Sequence, residues 1–116
     1  MKFKLIIAMV RDEKTDTVIE TARGHGATGC TVITNARGEG LKPAKTFMGL
    51  TVEGQRDIVL LLVEEHLSRH ILEALCKAGR FEEEPGTGIA MQLDIEDVIG
   101  LGEQIKKIEK EIEKDL

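Results

Sequence analysis

The segment Gln55 to Val63 constrains the fold more than any other part of the chain, because its last six residues, Ile58 to Val63, are all aliphatic. Successive side chains of a strand point to opposite faces of its sheet, so a strand that is apolar at every position needs cover on both faces. The segment therefore predicts a strand in the middle of a sheet.

Five further segments have the pattern of a regular element. Helices are predicted where apolar residues recur at intervals of three and four and a glycine follows the last of them. Strands are predicted from a short aliphatic run, from a stretch rich in β-branched residues, and from an alternation of apolar and polar residues. The predicted elements are strands over residues 2–10, 28–36 and 89–95, a helix over residues 15–24, and a second helix whose apolar face runs from Leu67 to Cys76 and which Gly79 ends.

The order of these elements is β-α-β-β-α-β, which predicts an α+β fold of the ferredoxin-like type: an antiparallel sheet with two helices on one face. Such a sheet leaves its other face bare. The same face of neighbouring subunits would cover it, so we expect a closed homo-oligomer. This domain spans residues 1–100. Residues 101–116 predict an amphipathic C-terminal helix, which packs either on its own domain or on a neighbouring subunit.

Composition and simple motifs exclude several classes of protein. The net charge is −5, whereas a general nucleic-acid binder needs a surplus of Lys and Arg, so no nucleic-acid partner is expected. Cys30 and Cys76 form no CxxC pair and are expected to be reduced. The apolar run near the N-terminus is too short for a signal peptide or a membrane span, so a cytoplasmic location is expected. No catalytic motif stands out, and no enzymatic activity is expected.

The segment 37–54 contains four glycines and a proline and shows neither strand nor helix periodicity. A loop of this length in a compact domain is generally functional or disordered, so it is the first place to look for function. Its candidate partner-binding residues are Lys42, Lys45, Phe47, Met48 and Leu50. The three apolar residues either anchor the loop to its own domain or form a docking tip. The two lysines, like Arg56 just beyond the loop, are either ordinary surface charges or binding residues.

Two strings of residues carry a resemblance to a known family. GATGCTV followed by RGEG looks like the second strand of the P-II nitrogen regulatory proteins entering their T-loop, and PGTGIAMQLDIEDVI looks like their B-loop running into the fourth strand. With the order of elements, the resemblance covers about residues 1–100. It implies a homotrimer that binds an adenine nucleotide in each cleft between subunits. It also implies that the T-loop, here residues 37–54, docks on a regulated membrane transporter or metabolic enzyme.

Carried over to this sequence, the resemblance implies an effector site at the bases of these two loops. Glycines there would let backbone N–H groups approach phosphate closely, because no Cβ intervenes. The nucleotide would be an effector and not a resident cofactor. The implied effector-binding residues are Thr31, Arg37, Gly38, Gly40, Gly86, Thr87 and Gly88. For the last three, an ordinary turn into the final strand is the alternative interpretation.

The sequence departs from the family pattern at the cations that hold phosphate. Ile89 stands where typical members have a lysine, and Gly100 and Gly102 stand where they have arginines. Those cations would make charge-assisted hydrogen bonds to a polyphosphate, so tight binding of ATP in the usual manner is not expected. The cations that remain are Arg11, Arg37, Lys42 and Lys45. They would suit AMP, ADP or another anion. The chain also has no tyrosine, so uridylylation of a tyrosine has no acceptor here.

His66 and His70 are four residues apart on the second predicted helix, a spacing that suits two imidazole ligands of one metal ion. The sequence shows no evident third ligand, so a solvated helix face is favoured and no metal site is expected. If the pair did bind a metal, the chain would instead be a trimeric metal-binding or scaffold protein similar to the CutA type, which has the same order of elements.

Overall fold

The computed structural model describes residues 1–38, 46–47, 50–51 and 55–115, and at residues 46–47, 50–51 and 115 the description concerns the backbone. A single 3-10 turn, Asp12–Lys14, joins the first strand to the first helix. The strands are β1 (Phe3–Arg11), β2 (Thr31–Ala36), β3 (Thr46–Phe47), β4 (Leu50–Thr51), β5 (Arg56–Glu64) and β6 (Gly88–Asp94), and the helices are α1 (Thr15–Gly24), α2 (Glu65–Gly79) and α3 (Gly102–Asp115).

The main sheet has four strands in the order β2-β5-β1-β6, and every neighbouring pair is antiparallel. β5 therefore lies inside the sheet, as its continuous apolar run predicts. In the β1–β5 pair Ile6 lies opposite Leu61, and Leu5 lies opposite Leu62. The predicted βαββαβ order and the antiparallel sheet of a ferredoxin-like fold are confirmed.

Helices α1 and α2 cover one face of this sheet, which we call the covered face. It carries Ile6 of β1 and Leu61 of β5, which are 0% and 1% exposed. Val18 of α1 and Ile71 of α2 belong to the same buried cluster. Both helices carry an apolar stripe at helical spacing, and burying that stripe on the sheet supplies most of what holds a helix of this length in place. The prediction of two helices on one face is confirmed.

Two hydrogen bonds connect these helices to the sheet beneath them. The Thr15 hydroxyl at the start of α1 donates to the carboxylate of Asp57 in β5 at 2.7 Å, and both residues are buried. The Ser68 hydroxyl of α2 donates to the side-chain oxygen of Gln92 in β6 at 2.5 Å. Buried polar groups are costly unless they are paired, so these bonds fix where each helix sits along the sheet.

The opposite side of the sheet, which we call the open face, is as apolar as the covered one. Because residues opposite each other in neighbouring strands share a face, the register assigns its members. They are Leu5, Ile7, Met9, Ile33, Ile58, Leu60, Leu62, Ile89, Met91 and Leu93. The side chains on the two edge strands are strongly exposed, with Ile33 at 48% and Ile89 at 55%. Within one subunit, much of this face has no apolar cover.

Helix α3 is the predicted amphipathic helix, and its apolar side is unevenly buried. Ile108 is 6% exposed, whereas Ile112 near the end of the helix is 51% exposed. Leu101 and Gln104 line a cavity together with Leu62 of β5, so the start of α3 lies beside the open face. In the described part of the chain, no helix, α3 included, is long and apolar enough to cross a membrane.

The structure differs from the sequence prediction at β2 and within the long loop. β2 begins at Thr31 and not at residue 28: Thr31 is the first residue that pairs with β5. Before it, the N–H of Ala27 still donates to the carbonyl of Ala22 at the end of α1, at 2.9 Å. Inside the segment predicted to lack regular structure, β3 and β4 form a short antiparallel pair with Phe47 opposite Leu50. Two residues per strand are too few to show a periodicity in sequence.

Candidate functional site

The antiparallel pairing brings the bases of the two predicted loops to one end of the sheet, which we call the loop end. Ala36, the last residue of β2, lies opposite Arg56, the first residue of β5. Arg11, the last residue of β1, also lies opposite Arg56, and its N–H donates to the carbonyl of Thr87 at 3.0 Å. The long loop and the turn before β6 therefore join the sheet at the same end.

A β-bulge redirects β2 just before the long loop. The β2–β5 register shifts between Ile33 and Ala36, and Asn35 has a φ of 62°, in the left-handed region that asparagine tolerates better than most residues. Bulges bend a strand and are common next to binding sites. Gly38 follows, and a Cβ there would lie 3.0 Å from the Cδ of Arg56. The chain thus brings Gly38 against the Arg56 side chain.

Gly86 lies at the loop end beside β1. Its φ is 85°, where any other residue type would be strained, and a Cβ there would lie 3.8 Å from Nη2 of Arg11. The neighbouring Thr87 is 2% exposed, and its hydroxyl donates to the carbonyl of Glu84 at 2.8 Å. Thr87 therefore holds the turn itself, whereas Gly86 leaves the guanidinium of Arg11 uncovered on that side.

Gly88 has a packing role that sequence reasoning missed. A Cβ on Gly88 would lie 2.6 Å from Cε1 of the Phe81 ring, and one on Gly79 would lie even closer to the same atom. The ring, which is 9% exposed, thus occupies the space that side chains at both glycines would need. This packing accounts for Gly88 without a ligand. The signal in the sequence was a lone phenylalanine placed between two glycines.

Thr31 lies at the other end of β2, about 17 Å from Ala36 for five residues of extended chain. It lines a cavity of about 390 Å³ with Leu5 and Leu60 of the open face and Gln104 of α3. The residues that line this cavity carry no charge. Within one subunit, the structure brings Gly38 and Gly86 to the loop end but leaves Thr31 opposite Leu60, in the middle of β5.

A second cavity, of about 480 Å³, lies between α2 and the free edge of β6. Leu72, Gly86 and Ile89 are part of its lining. Two charged residues of α2 also line it, but they pair with each other: Nε of Arg69 lies 2.9 Å from Oε1 of Glu73. The cavity thus combines apolar lining with an ion pair that is already satisfied and with a further carboxylate, that of Glu82.

The acidic run 82–84 near the loop end is partly neutralised by cations of the same subunit. Nε of Arg80 lies 2.8 Å from a carboxylate oxygen of Glu84, and Nζ of Lys14 lies 3.9 Å from the other. Arg80 itself has a φ of 56° and caps the C-terminus of α2. Lys14 and Arg80 are therefore engaged by Glu84.

The two histidines predicted to share one face of α2 have different partners. Nδ1 of His66 lies 2.5 Å from Oε1 of Glu64, whereas the ring of His70 lies 5.0 Å from the ring of His25. The hydrogen bond and the charge of Glu64 raise the pKa of His66 above its ordinary value. Glu64 also accepts the N–H of His66 at 2.9 Å and so caps α2.

One group of three potential metal ligands occurs among the described residues, namely Glu64, Glu65 and His66. The sequence showed no third ligand near His66 because the two glutamates precede the predicted helix. The group sits at the N-terminus of α2, where the helix dipole disfavours a cation.

Several predicted site residues lie outside the described residues: Gly40, Lys42, Lys45 and Met48. Phe47 and Leu50 are described by their backbone, where they face each other in the β3–β4 pair. Arg37 follows β2 directly and takes part in an interaction of its own. The partner-binding role of the loop therefore stays a prediction.

Comparison with known proteins supports the resemblance. The family model described as nitrogen regulatory protein P-II matches residues 3–104. A crystal structure from Thermus thermophilus, described as that of a putative PII-like signalling protein, is similar with a TM-score of 0.58 and 25% identity, over 82% of this chain and 91% of that one. No match was found among curated proteins. The family model thus spans the whole four-stranded sheet.

Proposed function

Because the chain belongs to the nitrogen regulatory protein P-II family, we propose that it is a regulatory signalling protein with no catalysis of its own. In this proposal a homotrimer senses a small effector in the clefts between its subunits. The segment 37–54 then controls a partner, either a membrane transporter or a metabolic enzyme. One observation carries the proposal: both loop bases join the same end of a sheet whose open face is apolar.

The open face supports the oligomer. Fully burying an aliphatic side chain stabilises by about 1.5–3 kcal/mol, and Ile33, Ile89, Met91 and Leu93 are each between 37% and 55% exposed in one subunit. A second copy presents the same apolar surface, so copies arranged around an axis would cover each other. The edge strands hold the most exposed of these side chains, which supports seams between subunits along β2 and β6.

The position of Thr31 supports an effector site shared between subunits. Thr31 lies opposite Leu60 in the middle of β5, about 13 Å of extended strand from Arg56 at the loop end. A neighbouring copy that supplies one of the two would let a single effector touch both. The cavity beside Thr31 has an apolar floor and an uncharged polar wall, which suits a flat heterocycle such as adenine. Without the family's phosphate-binding cations at residues 89, 100 and 102, AMP or ADP fits better than ATP.

The long loop would report the effector because it shares the loop end with the effector site. An effector that contacts Gly38 or Arg56 favours the loop conformations that allow those contacts. The coupling is reciprocal, so a partner that binds the loop must change the affinity for the effector by the same factor.

Two measurements on the purified protein test the proposal. Sedimentation velocity should show a trimer, and calorimetry with AMP, ADP, ATP and cyclic nucleotides should show binding of at least one of them. A lone subunit at working concentrations would remove the shared site. A trimer with no heat of binding at millimolar nucleotide would remove the adenine-nucleotide effector and leave the assembly.

A further inference from the structure

Arg11 and Arg56 lie directly opposite each other on the neighbouring strands β1 and β5. Directly opposite residues of an antiparallel pair have their Cβ atoms about 4.5–5.5 Å apart, and like charges placed there destabilise the sheet. The chain as a whole has a net charge of −5, so this pair is a local reversal of its overall charge. A destabilising pair of this kind needs a compensating partner.

The described residues supply little compensation. The carboxylate that pairs with Arg11 is that of Glu13, at 3.8 Å from Nη1, which is longer than a hydrogen bond. Arg56 has no ion pair with any residue in the described part of the chain. The next acidic side chain along β5, Asp57, points to the covered face and accepts from Thr15.

Two glycines keep the guanidinium groups accessible. Gly86 presents no side chain where a Cβ would contact Nη2 of Arg11, and a Cβ on Gly38 would lie 3.3 Å from Nε of Arg56. Any larger residue at either position would cover a guanidinium group or push it aside. The two arginines therefore form a cationic pair at the loop end, flanked on each side by a backbone without a side chain.

We propose that Arg11 and Arg56 together bind one phosphate group. Two guanidinium groups donate N–H bonds to a tetrahedral oxyanion from two sides, which is the geometry arginine recognises best. The bound anion also removes the repulsion between the two cations. Sequence reasoning left Arg56 open between a surface charge and a binding residue, because its partner, Arg11, lies 45 residues away in the chain.

This inference deepens the proposed function, because it names the group of the effector that the loop end would hold. Ile89, which replaces the family's lysine, lies opposite Met9, two residues from Arg11 on the same face. The Arg11–Arg56 pair thus places positive charge on the open face two residues along β1 from the level of Ile89, towards the loop end. Glu13 and the acidic run 82–84 stand nearby, so a single phosphate is favoured over a polyphosphate chain.

The test is a thermal-unfolding and calorimetric titration of the full chain with inorganic phosphate, with NaCl matched for ionic strength because salt screens surface charges. In wild type, phosphate is expected to bind and to raise the melting temperature. Arg11→Gln and Arg56→Gln should each leave the phosphate-free protein as stable as wild type or more so. Each should weaken phosphate binding about tenfold or more, since a hydrogen bond between charged groups is lost.

Two variants serve as controls. Arg23→Gln removes the same charge from an exposed position of α1 and should retain wild-type phosphate binding. Glu13→Gln removes the competing carboxylate and should tighten phosphate binding. Equal phosphate binding in wild type and in both arginine variants would overturn the proposal, as would no binding to wild type at millimolar phosphate.

Adenosine separates this inference from the proposed function, because it carries the heterocycle without the phosphate. Binding of phosphate without any effect of adenosine or AMP would support the arginine pair and contradict the adenine-nucleotide effector. Binding of adenosine without any effect of phosphate would support the adenine-nucleotide effector and contradict the arginine pair.

Discussion

The covered and open faces of the sheet are made from the same strands and are almost equally apolar, yet they end in different states. On the covered face Ile6 and Leu61 are at most 1% exposed, and on the open face Ile89 and Met91 are 55% and 37% exposed. Period-two alternation cannot distinguish two such faces, since both halves of the alternation are apolar. The difference comes from what the chain itself can supply, because α1 and α2 both cross over the same side.

The comparison separates residues that stabilise one subunit from residues that can be buried only by a neighbouring subunit. Contacts on the covered face are satisfied within the chain, so changes there should alter the free energy of unfolding. Contacts on the open face are incomplete, so changes there should alter association. The predictions below test that separation in order of decreasing effect.

The largest effect is expected from Leu61→Ala on the covered face. Deleting a buried leucine side chain leaves a cavity and costs about 2–5 kcal/mol. Urea unfolding followed by circular dichroism measures the loss. Ile89→Ala on the open face is the matched control, and it should change the concentration dependence of unfolding more than the stability at high protein concentration. A similar loss from both variants at every concentration would contradict the separation of the faces.

Met91→Asp places a charge at the centre of the edge strand's open face. Burying an unpaired carboxylate between subunits is strongly unfavourable, so sedimentation velocity should show a shift from oligomer to single subunits. The circular dichroism spectrum should stay that of a folded α+β protein, because the side chain is 37% exposed in one subunit. An intact oligomer would show that another surface holds the subunits together.

Gly88→Ala tests the covered face at the edge strand β6, where a change should again lower the stability of a single subunit. The new methyl group would overlap the Phe81 ring at 2.6 Å, and overpacking of this kind costs about 1–3 kcal/mol. Gly102→Ala is the control, because a Cβ there meets nothing within 4 Å. If Gly88→Ala unfolds like wild type but loses effector binding, then a ligand, and not the ring, explains the glycine.

The smallest effect is expected at the end of β5, where Glu64 meets the first turn of α2. Its hydrogen bond and charge raise the pKa of His66, so Glu64→Gln should bring that pKa back towards the ordinary value of about 6.5. A raised pKa means that the folded state favours the protonated ring. The small contribution to stability is therefore complete below the ordinary pKa and lost as pH rises through the raised one.

NMR titration of the ring resonances measures this change without reference to stability. His70, whose ring lies 5.0 Å from that of His25, is the internal control, and its ring resonances should be the same in both proteins. An unchanged His66 titration in Glu64→Gln would mean that the hydrogen bond does not form in solution.

Most of the fold could be predicted because its signals are local. The intervals of three and four residues that mark α1 and α2, and the aliphatic run of β5, each lie within a short stretch of the sequence. The start of β2 was predicted three residues early, because β-branched residues do not show where pairing with β5 begins. The β3–β4 pair was missed because four residues carry no period.

The candidate site was predicted less completely, since its members come from distant parts of the chain. The loop bases with Gly38 and Gly86 were found through short glycine-bearing strings. The role of Gly88 depends on Phe81, and the separation of His66 from His70 depends on Glu64 and His25. None of these partners follows from a spacing.

The sequence by itself determined the main helices and strands, their order and the existence of two apolar faces, because each of these depends on residues a few positions apart. Only the tertiary structure decided which face the helices cover, and only the register between β1 and β5 set Arg11 opposite Arg56. A shift of one residue in that register would send every side chain of the strand to the other face, and no local pattern near either arginine records which register forms.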